Sequence, residues 1–108
     1  MSKFHTMSPE VIIALQKRPV DIGSPFGKTD LHHAVLSKAS VRGLPPEEQA
    51  KIHDPRNILK IEHGLHLHKP IPEGIDAALL LYDIYGRESV LEWFESIQWR
   101  NKPPFELP

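Results

Sequence analysis

Apolar residues along this chain come in short bursts whose period changes, and prolines or glycines close almost every burst. Ser8-Pro9-Glu10 is a helix start, with serine as N-cap, proline at the first position and an acid in the first turn. Val11, Ile12, Ala14 and Leu15 then supply an apolar face up to Lys17-Arg18, where Pro19 ends the helix. Residues 19–28 hold Gly23, Pro25 and Gly27 and read as a loop or an irregular hairpin arm. Thr29 to Leu36 fits a short strand, with Leu31 pointing away from Asp30 and His32. From Ser37 to Arg56 the chain is polar, with one short helix predicted from Pro45 to Ile52 and a stop at Pro55.

Asn57-Ile58-Leu59-Lys60-Ile61 reads as a second strand and Glu62 to His68 as a helix, closed by Pro70 and Pro72. The last third repeats every three to four residues. Ile75, Ala78, Leu79, Tyr82 and Ile84-Tyr85 fit one helix with Gly86 beyond its end. Val90, Leu91, Phe94 and Ile97 fit another, flanked by Trp93 and Trp99, whose spacing points to core packing over base stacking. Lys102 to Pro108 is expected as an extended tail. Two separated strands among helices predict an α+β fold in a single domain over residues 1–108.

Composition narrows the class. The chain has 108 residues, 40 % hydrophobic and 25 % charged, and no cysteine. Disulfides, thiolate nucleophiles and cysteine-ligated zinc are therefore excluded. No apolar run reaches the roughly 18 residues of a membrane span, and the start lacks a signal-peptide core, so no membrane partner and a cytoplasmic location are expected. Net charge is −1, which alone does not advertise a nucleic-acid binder. Its distribution changes that picture. Residues 28–69 carry seven Lys/Arg against five Asp/Glu, a net of +2, whereas residues 70–108 carry three against seven, a net of −4.

Six of the seven histidines lie between His32 and His68. Imidazole is the commonest metal ligand and titrates near neutral pH, so this density points to a metal site with its own general base. The pattern Leu31-His32-His33-Ala34, then Asn57 opening an apolar strand, then His66 nine residues after that asparagine, resembles the HNH endonucleases, which are ββα-metal (His-Me finger) nucleases. The resemblance spans about residues 28–70. Many members carry a cysteine zinc knuckle; here Glu62 and Leu65 stand in cysteine positions, so core packing must hold the finger.

The resemblance implies a small ββα-metal finger, flanked by an N-terminal helix and buttressed over about residues 71–100 by a C-terminal helical hairpin. It implies a metal-dependent endonuclease that hydrolyses DNA phosphodiesters. His33 would be the general base, and His32 and His66 metal ligands. Asn57 would tie the finger together through backbone hydrogen bonds and keep the base oriented. His63, three residues before His66, is the first choice for a third ligand, and Asp30 follows as ligand or orienting partner. The expected ion is Mg²⁺ or Mn²⁺, with Zn²⁺ or Ni²⁺ also suited to imidazole ligands. Arg42, Lys60 and Lys69 are candidate phosphate contacts by charge and position. Double-stranded DNA is the expected substrate, with a homodimer or a phage partner protein helping to grip it, in the host cytoplasm, since compact stand-alone members resemble phage nucleases.

Two rival readings stand beside this one. The histidines could stabilise a non-catalytic, metal-containing nucleic-acid-binding module, or they could form a pH-sensitive interaction surface. His53 is expected to be solvent-exposed in its loop, or else to contact substrate; His68 is expected at the surface and His5 in a frayed terminus. The connection from 34 to 56 either contacts DNA or covers the core.

Overall fold

In the computed structural model, which describes residues 8–108, strand β1 (Thr29–His33) pairs antiparallel with β2 (Ile58–Glu62). The register sets Asp30 opposite Ile61, His32 opposite Leu59 and His33 opposite Ile58. Directly opposed residues share a face of the sheet. Asp30 and His32 thus lie on the face of Leu59 and Ile61, and Leu31 and His33 on the face of Ile58 and Lys60. Ile58, Leu59 and Ile61 are all fully buried, so β2 is covered on both sides.

On one side is the main core. Leu59 and Ile61 join Ala34, Val35, Leu36, Val41, Ile52 and the inner faces of two helices, α4 (Ile75–Tyr85) and α5 (Arg87–Ser96). On the other side lies helix α1 (Pro9–Lys17), capped by the Ser8 hydroxyl on Val11 N–H as its sequence signals. Its Leu15 is fully buried. The Lys60 ammonium reaches three carbonyls at the end of α1, those of Leu15, Gln16 and Arg18, at 2.9–3.1 Å. This placement suits a cation at a helix C-terminus.

The arm at 19–28 contributes a single parallel bridge, Ile22 to Ile61, on the free edge of β2. Gly23 then passes so close to the end of β2 that a Cβ there would come within 2.5 Å of the Glu62 Cβ, and its φ of +98° adds strain for any other residue. That passage braces helix α3 (His63–His68), which follows β2 without a loop.

The fold is therefore α+β, with five helices and one two-stranded antiparallel sheet among the described residues. Among those residues, no helix is long and apolar enough to cross a membrane.

Three expectations are corrected. The predicted 45–52 helix is only one α turn, α2 (Pro46–Gln49), continued as a 3₁₀ segment, Ala50–His53, because Pro55 lies too close for a longer helix. Helix α4 buries Ala77, Ala78 and Leu81, while Ile75 and Leu79 face solvent with Leu80 and Ile84. Apolar residues surround this helix, so periodicity alone could not choose its inner face; the small alanines allow α5 a close approach. The tail from 102 to 108 is extended but docked. Phe105 stacks on Phe94 with ring centroids 5.7 Å apart, and the carbonyl of Pro108 accepts from the Tyr82 hydroxyl at 2.8 Å.

Candidate functional site

The strand–strand–helix unit brings four chemistry-bearing side chains to one end of the sheet. Asp30 Oδ2 accepts from Nδ1 of His63 at 2.7 Å and from Nδ1 of His66 at 2.9 Å. An ionised carboxylate can only accept, so both rings donate from Nδ1 and turn Nε2 away from Asp30. The two hydrogen bonds, His66 first, hold the Asp30 carboxyl below its ordinary pKa. The His32 ring stands edge-on to His66, with centroids 5.2 Å apart, and its Nε2 is buried without a hydrogen-bond partner. Burial is the main cause that lowers its pKa, with the neighbouring His66 second.

Three of these features fit a cation. A buried ring nitrogen with no partner is costly unless something accepts its lone pair. Two imidazoles on one tetrahedral ion, with metal–nitrogen distances of roughly 2 Å, hold their centroids roughly 5 Å apart. A carboxylate on Nδ1 of a histidine is also the usual support that orients a ligand ring. Against these stands one plain observation: among the described residues, no three His, Asp or Glu side chains form a group that could hold a metal ion. Asp30 is engaged with two rings, and this favours its orienting role over direct ligation.

His33, on the other strand face, meets a residue that sequence reasoning set aside. Its Nε2 lies 3.0 Å from Nδ1 of His53, and the two rings are edge-on with centroids 5.0 Å apart. His53 is only 8 % exposed, contrary to its expected place in open solvent. The cause is the 3₁₀ segment 50–53, which winds the polar connection back over the sheet end and turns His53 inward. Burial, then the charges His53 and His32 would carry, push the His33 pKa down to about 4. His33 opens onto a cavity of about 280 Å³ bordered also by Ser37, Ser40, Glu73 and Phe105.

Asn57 is fully buried just before β2. Its Oδ1 accepts from the backbone N–H of Val35 (3.0 Å) and Leu36 (2.7 Å), and its Nδ2 donates to the carbonyls of Leu36 (2.9 Å) and Ile52 (2.7 Å). The backbone carbonyl of Asn57 takes the N–H of Ala34 as well. One side chain thereby fixes the chain leaving β1, directly after His33, and the chain arriving from His53.

The remaining candidates are scattered. Lys60 spends its ammonium on the end of α1, so its charge serves the fold. Lys69 and His68 are exposed on and beyond α3. Arg42 is exposed at the rim of a separate cavity. His5 lies outside the described residues. No protein-family model, curated protein or solved structure matches this chain.

Proposed function

We propose that this chain is a small metal-dependent phosphodiester hydrolase of the HNH, ββα-metal kind, acting on DNA. The observation that carries the reading is the convergence of Asp30, His32, His63 and His66 at one end of β1, β2 and α3, beside the His33–His53 pair. His32 and His66 would hold the ion through Nε2, with Asp30 holding both α3 rings by Nδ1; His63, the third candidate, would have to close on the ion, since no three such side chains are grouped for a metal among the described residues. When bound, a divalent ion stabilises negative charge on the phosphoryl group and the departing oxygen. Mg²⁺ or Mn²⁺ suits that work, and the imidazole donors would also take Zn²⁺ or Ni²⁺.

His33 is the base. As a water molecule attacks phosphorus in line with the departing 3′ oxygen, its proton passes to the imidazole and the P–O bond breaks. The hydrogen bond to His53 orients the ring. With Nε2–H donating to His53, Nδ1 of His33 is the free lone pair. Asn57 touches no substrate here; it positions His33 through the backbone at 34–36.

A plasmid-nicking assay across Mg²⁺, Mn²⁺, Ni²⁺ and Zn²⁺, with wild type and His33→Ala side by side, tests the reading. The expected loss in His33→Ala is about 10²-fold or more. Equal nicking by both proteins removes His33 as base, and a wild type inert with every ion removes the hydrolase.

A further inference from the structure

A second cavity, of about 340 Å³, opens between the turn after the 3₁₀ segment Lys38–Val41 and the chain that follows α5. Its lining includes Arg42, Arg100 and Lys102, and no Asp or Glu. All three cations are exposed, and none has a carboxylate partner among the described residues. Trp99 lines the same cavity, and its indole N–H is buried without an acceptor. The Trp99 ring is already committed to the core, tilted against Phe94 with centroids 5.8 Å apart. It therefore offers the cavity no free stacking face. Ser40 borders both this cavity and the one that His33 opens onto.

We infer that this cleft binds the phosphodiester backbone of a nucleic-acid strand, holding the phosphates next to the one presented to His33. Three cations without carboxylate partners supply donors only, which matches an anion carrying several acceptor oxygens. An overall net charge of −1 cannot concentrate DNA at the surface, so a local array must. The shared Ser40 makes the two cavities neighbours along one path. The choice of ligand rests on the hydrolase reading above, whereas the cleft's geometry stands independently of it. Sequence alone had offered Arg42 for this role but not Arg100 or Lys102, which lie more than fifty residues on.

The test is fluorescence anisotropy of a labelled twelve-nucleotide thymidine strand, titrated with the full chain in chelator so that no cleavage occurs. For a single strand the logarithmic salt slope is about −0.7 per phosphate contact. Replacing Arg42, Arg100 and Lys102 together by alanine should weaken binding at least tenfold at low salt and reduce the slope by about 2. Lys17→Ala, on α1, should change it less than twofold. Circular dichroism checks that each variant is folded, and the exposed positions of the three cations make that the expected result.

The inference is overturned if the triple variant binds within twofold of wild type with the same slope, or if wild type does not bind at low salt. It is also overturned if polyglutamate of equal charge displaces the strand as well as unlabelled oligonucleotide does. Binding through the cleft by a protein that fails to nick with every one of the four ions would uphold this assignment and refute the hydrolase. Conversely, His33→Ala that binds as wild type but no longer nicks would uphold both.

Discussion

Removing the side chain of Asn57 should come close to unfolding the protein. The residue is fully buried and makes four side-chain hydrogen bonds of 2.7–3.0 Å, two accepted and two donated, all with backbone groups. Asn57→Ala strands two N–H groups and two carbonyls in the interior. Each stranded group costs about 1–3 kcal/mol, which sets a ceiling of roughly 4–12 kcal/mol. Water entering the vacated space would recover part of this, since a polar cavity with several partners is where a buried water is held. A loss of about 4 kcal/mol is expected, against a total of about 5–15 kcal/mol for a domain of this kind. Urea unfolding followed by circular dichroism reads it directly, with Asn101→Ala, an exposed asparagine, as the neutral reference. Asn57→Asp refines the test. It retains both acceptances but turns a carboxylate toward the carbonyls of Leu36 and Ile52, so its deficit relative to wild type should shrink as acid protonates it into a donor. A loss below about 1 kcal/mol in Asn57→Ala, alike with Asn101→Ala, would refute the reasoning.

Three further outcomes are expected. His53→Ala should lower nicking about tenfold and alter its pH profile, with His53→Gln restoring part of the rate because an amide can still accept from His33; unchanged nicking in both variants would leave His53 a packing residue. Saturating Ni²⁺ or Zn²⁺ should raise the melting temperature of wild type, by about 2.7 kcal/mol of stabilisation at a hundred times the dissociation constant, and His32→Ala and His66→Ala should each lose that rise; a shift retained in both would place the ion elsewhere. Stability in chelator should fall with acid. His33 is held at about 4 in the folded chain against 6.5 unfolded, by burial first and then by His53 and His32, so the unfolded state takes up the proton first. The contribution is nil above about pH 7 and destabilising as pH falls from about 6.5 to 4. The gap is worth at most about 3 kcal/mol, and partial contact with solvent reduces it to about 1–2 kcal/mol. His33→Asn should flatten that part of the curve, and parallel curves for the two proteins would count against it.

What could be read from the residues was whatever local chemistry dictates. Helix α1 starts at its Ser-Pro-Glu signal, and Gly86, with φ of +88°, separates α4 from α5 where the pattern broke. The strands fall within three residues of their predicted ends: β2 is the apolar run Ile58-Leu59-Lys60-Ile61 after Pro55, and β1 alternates Leu31 between Asp30 and His32. The pairing of Asp30 with His63 and His66 was legible only as a set of candidates, since Asp30 could equally have been a ligand. The inward turn of His53 was not legible at all. Nothing in Ile52-His53-Asp54 distinguishes a buried imidazole from an exposed one; the difference comes from the 3₁₀ winding and from Asn57 taking the carbonyl of Ile52 next door. The inner face of α4 and the docking of Phe105 were hidden for a related reason. Both depend on which partner surface is offered, and periodicity describes one element at a time.

Without cysteines to staple it, the sheet end must be held by other bonds, and Arg18 supplies the outer half of that clamp. Its guanidinium donates to Asp21, to the carbonyls of Pro55 and Ile58, and to the Tyr85 hydroxyl at 2.8 Å, while lying 5.5 Å from the centre of the Tyr85 ring. Asp21 Oδ2 in turn accepts the N–H of Lys60 at 2.7 Å. Asn57 grips the inside of the same junction, between Pro55 and Ile58. Two buried or half-buried polar networks therefore meet at the point where the connection carrying His53 enters β2. Neither uses a side chain from the Asp30–His66 group. If His32 and His66 hold the proposed cation, its loss would loosen them without releasing β2, unlike small metal-knuckle domains whose folding energy is the binding energy of their ion. Cooperative unfolding in chelator follows from that separation, and a chain that lost its cooperative transition on metal removal would show that the Arg18 and Asn57 clamps do not suffice.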